Sequence, residues 1–161
     1  MEYEEICKDI LDFLFKGAFS EIFPQHPTED KHFRMDFIAP LKGNNEKTHS
    51  LWRMLTYHYN SHFVVFECKN YEEEIDQNLI YITEKYLFNA ALRNVAFILS
   101  RKGFSEPAHF AACGCLKEHG KLILDIKDAD LVEMLDAKAK GDEPADYLLK
   151  LLEKFLMGIG K

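Results

Sequence analysis

Apolar and polar positions alternate along the chain with two different periods, and the periods predict its elements. Residues 2 to about 16 repeat apolar side chains at helical spacing, with Ile6, Ile10, Phe13 and Leu14 as the expected core stripe. Acids gather at its start, where the helix dipole favours them, and Gly17 is a natural stop. Phe19 to Phe23 suits a short edge strand, ended by Pro24 and Pro27. A strand over 32–39 closes at Pro40, and Lys42 to Lys47 has loop composition. A helix over 49–59 carries Trp52, Leu55 and Tyr59, and a strand over 62–69 contains Phe63-Val64-Val65-Phe66.

Residues 72–92 predict one long helix, with Ile75, Leu79, Ile82 and Tyr86 on one face and Ile80, Leu87 and Ala91 on another. A strand over 95–100 follows, then a helix over about 105–118 and a strand from Lys121 to Ile126. The strand over 62–69, the long helix and the strand over 95–100 make a crossover unit, which favours parallel pairing and a right-handed connection. Asp130 with Glu133 suggests a capping box, and Asp142 or Glu143 starts a last helix with Pro144 in its first turn. That helix carries Leu148, Leu149, Leu152, Phe155 and Leu156. The expected architecture is a three-layer α/β/α sandwich with a mixed central sheet. It forms one domain over 1–161, with a core to about 126 and a C-terminal helical pair over about 128–158.

Composition narrows the class. A chain of 161 residues that is 47% hydrophobic and 29% charged suits one ordinary globular core. No apolar run is long enough to span a bilayer, and the acidic start lacks a signal peptide's basic region, so a cytoplasmic address is expected. Cys7, Cys68, Cys113 and Cys115 show no disulfide framework and read as free thiols. The net charge of −7 argues against non-specific DNA binding by the whole surface, and puts nucleic-acid affinity on a local groove, a further domain or subunit, or a metal-bridged phosphate.

The chemistry concentrates at Glu67-Cys68-Lys69. Side chains on a strand alternate, so Glu67 and Lys69 leave the same face and Cys68 points to the other. Asp36 is the acid embedded in the preceding predicted strand. Two carboxylates and a lysine at the ends of neighbouring strands suit a hard divalent cation and a scissile phosphate.

Asp36, then Glu67-x-Lys69, then a helix resembles the PD-(D/E)xK restriction-endonuclease-like nuclease superfamily, over roughly residues 30 to 130. Phe66-Glu67-Cys68-Lys69-Asn70-Tyr71 is the sharpest part of the likeness. The strand from Val95 to Arg101 and the tail from Gly120 to Leu156 look like a restriction-type nuclease domain of bacterial defence proteins. Met35 stands where the family pattern has proline, and the interval from Asp36 to Glu67 is long.

The resemblance implies a restriction-endonuclease-like fold and a Mg²⁺-dependent endonuclease acting on DNA in restriction or phage defence, with Mn²⁺ able to substitute. Asp36, Glu67 and the Cys68 backbone carbonyl would ligate the metal, Lys69 would serve the attacking water, and Gln77 on the following helix would support the site. Glu5 on the first helix is a further candidate ligand, against the plainer reading of a charged N-terminal turn. The alternative is a catalytically silent module of the same fold that binds nucleic acid or a protein. RNA as substrate, a homodimer and further domains or subunits all stay open.

Other polar residues carry weaker signals. Arg34, Arg101 and Lys102 flank strand ends where phosphate contact competes with simple solvation. His58 and His62 precede the Glu67 strand as minor substrate-contact candidates. His109, Cys113, Cys115 and His119 do not match common zinc spacing and read as a cysteine-containing packed helix.

Overall fold

The computed structural model describes residues 2–24, 35–43 and 46–160. The strands β1 (Phe23–Pro24), β2 (Phe37–Pro40), β3 (Phe63–Lys69), β4 (Val95–Ser100) and β5 (Leu122–Lys127) form one sheet in chain order. β1, β2 and β3 pair antiparallel, whereas β3, β4 and β5 pair parallel. The near-continuous apolar runs of the parallel strands match their burial on both faces.

Among the described residues six α-helices cover the sheet: α1 (Tyr3–Leu14), α2 (Ser50–Tyr57), α3 (Gln77–Glu84), α4 (Glu106–His119), α5 (Asp128–Ala139) and α6 (Pro144–Met157). α3 and α4 bury Ile80, Ala108, Ala112 and Cys115 against Val65, Ile98 and Ile123. On the opposite face α1, α2, α5 and α6 bury Leu11, Leu51, Met134 and Leu148 against Phe66, Phe97 and Leu124. The α/β/α sandwich expected from the hydrophobic pattern is therefore present.

Several local expectations change. The buried stripe of α1 is Cys7, Leu11 and Leu14, whereas Ile6 and Phe13 are exposed. Tyr3 fixes this rotation by donating its hydroxyl to Asp128 Oδ1 at 2.9 Å. The edge strand is displaced from 19–23 to Phe23–Pro24. Residues 32–34 of the strand expected over 32–39 lie outside the described residues, and its observed part is Phe37–Pro40.

The single helix expected over 72–92 becomes the eight-residue α3 and a 3₁₀ turn at Asn89–Ala91. Asp76 caps α3 by accepting the Leu79 N–H at 3.2 Å, which keeps Glu72–Glu74 outside the helix. Downstream, Arg93 Nε donates to the Tyr86 carbonyl at 2.6 Å, so Tyr86 and Leu87 are buried in a turn. α5 starts before its expected cap. Asp130 sits in its first turn, accepting the Lys127 N–H at 3.0 Å and the Tyr147 hydroxyl at 2.7 Å. α6 starts as expected, with Glu143 as its cap and Pro144 in its first turn.

Candidate active site

Asp36, Glu67 and Lys69 meet where β2 begins and β3 ends. Phe37 is the register partner of Phe66, so the antiparallel pairing carries Asp36 alongside Glu67. On β3 the alternation separates two sets of side chains. Phe66 and Cys68 join the α1-side core, whereas Val65 faces the α3–α4 side that Glu67 and Lys69 share.

Asp36 lies just outside the regular ladder. Its Oδ2 accepts the Cys68 N–H at 2.8 Å. A residue's N–H and C=O leave an extended strand on the same side, so the Cys68 carbonyl also looks toward the Asp36 edge. Lys69 Nζ stands 3.7 Å from Asp36 Oδ2 and 3.4 Å from Glu67 Oε2. Side-chain exposure falls from 24% at Lys69 to 13% at Asp36 and 2% at Glu67, so the site opens on the lysine side and closes behind the glutamate.

The electrostatics follow from that gradient. Burial, then the Asp36 carboxylate, push the Glu67 pKa up to about 8, and Lys69 only partly offsets them. Glu67 Oε1 is buried without a hydrogen-bond partner. For Lys69, burial pulls the pKa down, but Asp36 and Glu67 together outweigh it and the net shift is upward. The ammonium is thus held charged between two oxygen acids. Beneath the site, Cys68 shares the α1-side core with Cys7, and the hydrogen bond to Cys7 and burial raise its pKa, which keeps it an unreactive thiol.

The other candidates fall in different places. Gln77 is exposed at the start of α3, in a groove shared with Tyr81, Glu84 and Phe110 between α3 and α4. Arg101 and Lys102 are exposed and directly follow Ser100, the register partner of Lys69. Arg34 lies outside the described residues. Glu5 is exposed on α1, which covers the other face of the sheet. His58 and His62 are exposed at the far end of β3, about 20 Å of strand away from Lys69. His109 and Cys113 approach each other at 3.7 Å, whereas His119 pairs with Glu84 at 3.2 Å, so the four α4 residues do not converge. Among the described residues no three His, Cys, Asp or Glu side chains gather so as to hold a metal ion.

Asp125 was not singled out by the sequence, although it is the one acid inside the apolar run Leu122–Ile126, much as Asp36 is in its own strand. It shares a register row with Glu67, with Ile98 between them. Comparison of the chain with family models, curated proteins and solved structures gave no match.

Proposed function

We propose that this chain is a divalent-metal-dependent endonuclease that hydrolyses DNA phosphodiester bonds. One observation carries the reading: Asp36, Glu67 and Lys69 converge where β2 begins and β3 ends, with Lys69 Nζ 3.7 Å from one carboxylate and 3.4 Å from the other. Two carboxylates held this close raise the cost of ionising both, which a cation taken up between them would relieve.

The donors fit Mg²⁺, with Mn²⁺ as a substitute. They are oxygen atoms from two carboxylates, with the Cys68 carbonyl turned toward the same edge, and such ions are held by one or two carboxylates plus water and phosphate. Bound there, the ion would supply positive charge for the phosphate and lower the pKa of a coordinated water. Lys69 contributes differently. Held charged between Asp36 and Glu67, it would orient the attacking water and offset charge growing on the phosphate oxygens. Water is the nucleophile, and no covalent link to the protein is required. No step needs Gln77. The setting in restriction or phage defence rests on the resemblance alone.

The test is cleavage of supercoiled plasmid, single-stranded DNA and RNA with Mg²⁺ or Mn²⁺, comparing wild type with Glu67→Ala and Lys69→Ala. Loss of DNA cleavage in both variants supports the proposal. Cleavage that survives both substitutions overturns it, as does a wild type that binds DNA and never cuts it.

A further inference from the structure

The turn between β4 and α4 is fastened from three directions. Gly103 N–H donates to Ser100 Oγ at 3.0 Å, and Phe104 N–H donates to Asp125 Oδ2 at 2.9 Å. The Ile75 N–H donates to the Gly103 carbonyl at 2.9 Å, and the Ser105 N–H donates to the Ile75 carbonyl at 2.9 Å. The last pair ties the turn to the connection that follows Lys69.

Gly103 has φ +82°, and a Cβ there would lie 2.9 Å from Asp125 Oδ2 and 3.1 Å from Oδ1. Only glycine lets the backbone approach the carboxylate this closely at this φ. Asp125 thus spends one oxygen on the turn, while its Oδ1 is buried without a partner. This arrangement leaves the two residues at the tip, Arg101 and Lys102, exposed. Among the described residues neither makes an ion pair.

Position gives the tip its meaning. Lys69, Ser100 and Lys127 form one register row at the C-terminal ends of the parallel strands. Lys69, Arg101, Lys102 and Lys127 therefore share one edge of a protein whose net charge is −7. Glu72-Glu73-Glu74 is exposed on the adjacent connection, so this edge is no diffuse basic patch. Fixing the backbone that carries these cations lowers the ordering cost of binding a strand.

We infer that Asp125 is a positioning residue, which latches the 100–105 turn so that Arg101 and Lys102 hold backbone phosphates of a nucleic-acid strand beside Lys69. The inference rests on the nuclease reading and gives it a substrate-holding element. The latch acts on backbone N–H groups and leaves the charge of the tip free for the strand. A salt-dependent affinity follows, because each neutralised phosphate releases counterions.

Two measurements on the whole chain test this, both in chelator so that no cleavage occurs. The first is amide hydrogen exchange over residues 101–105. The second is fluorescence-anisotropy binding of labelled single-stranded and duplex DNA across a salt series. Asp125→Ala is expected to speed exchange across the turn. Asp125→Asn, which keeps an oxygen for the Phe104 N–H, is expected to restore slow exchange.

The double variant Arg101→Ala/Lys102→Ala is expected to lose about tenfold in affinity and to flatten the log–log salt slope by about two, one per phosphate contact. Asp125→Ala should reproduce most of that loss, and under metal it should raise KM with little change in kcat. The inference is overturned by unchanged exchange in Asp125→Ala, or by faster exchange with wild-type affinity and slope. It is also overturned by a wild type that binds neither DNA. If Glu67→Ala abolishes cleavage while the tip and Asp125 variants keep the wild-type KM, the latch alone fails. If wild type binds DNA through the tip and never cleaves, the catalytic reading alone fails.

Discussion

Glu67 and Asp125 are the two acids that β3, β4 and β5 contain, and they lie in one register row on either side of Ile98. Both have one buried oxygen without a partner, and in both burial raises the pKa. Their surroundings differ. Glu67 faces a second carboxylate and an ammonium and accepts no backbone N–H. Asp125 accepts the Phe104 N–H and abuts Gly103. The same residue class in the same row thus meets two different surroundings. On the proposed reading, the carboxylate turned toward other charges does chemistry and the one turned toward a backbone donor shapes a loop.

Removing the charge from each acid in turn tests this contrast. Glu67→Gln is expected to lower kcat by at least ~10²-fold, as much as the largest losses seen when a group that merely orients a metal ligand is removed, whereas Asp125→Asn should keep kcat. Comparable kcat losses from the two would erase the distinction.

Stability in chelator comes next. The Glu67 pKa is raised from its ordinary 4.5 to about 8, so the folded state holds a proton that the unfolded state releases. Stability therefore falls as pH rises from about 4.5 to 8 and levels off above that. Glu67→Gln is expected to raise the melting temperature at pH 8, by the equivalent of a few kcal/mol, and the gain should fade toward pH 4.5. A wild-type melting curve that rises over this window would contradict the burial argument.

Asp125 should behave differently on truncation. Asp125→Ala leaves the Phe104 N–H without its acceptor and is expected to cost about 1–3 kcal/mol in denaturant unfolding. Asp125→Asn should cost less than Asp125→Ala. The smallest effect is a heat. Metal uptake at Glu67 must displace its proton, so Mn²⁺ titration at pH 6.5 should release close to one proton, read from calorimetry in buffers of different ionisation enthalpy. Near pH 9 the release should vanish, and Glu67→Gln should show none at either pH.

Much of this arrangement was legible in the chain. Strand alternation alone places Glu67 and Lys69 on one face and Cys68 on the other. The apolar runs 95–99 and 122–126 announce strands buried on both faces, and Pro144 announces the start of α6. Elements failed to read where a distant contact overrode local periodicity. Ile6 and Phe13 look like core residues, but the Tyr3–Asp128 hydrogen bond, 125 residues apart in sequence, turns α1 toward Cys7 and Leu11. Residues 72–92 hold enough apolar positions for one helix, yet Asp76 and Arg93 cut it at both ends. Asp125 gave only the weak signal of a lone acid in an apolar run. Its purpose depends on Gly103, which lies 22 residues upstream.

The sequence by itself determined the layering, the parallel pairing across the β3–β4 crossover and the shared face of Glu67 and Lys69. Those properties depend on side-chain period and residue type, which are local. Only the tertiary structure decided that Asp36 stands against Glu67, that one carboxylate is buried while the lysine beside it stays charged, and that a second acid is committed to a turn. Those depend on strand pairing and on how much water each group keeps, and both quantities exist only once distant segments have come together.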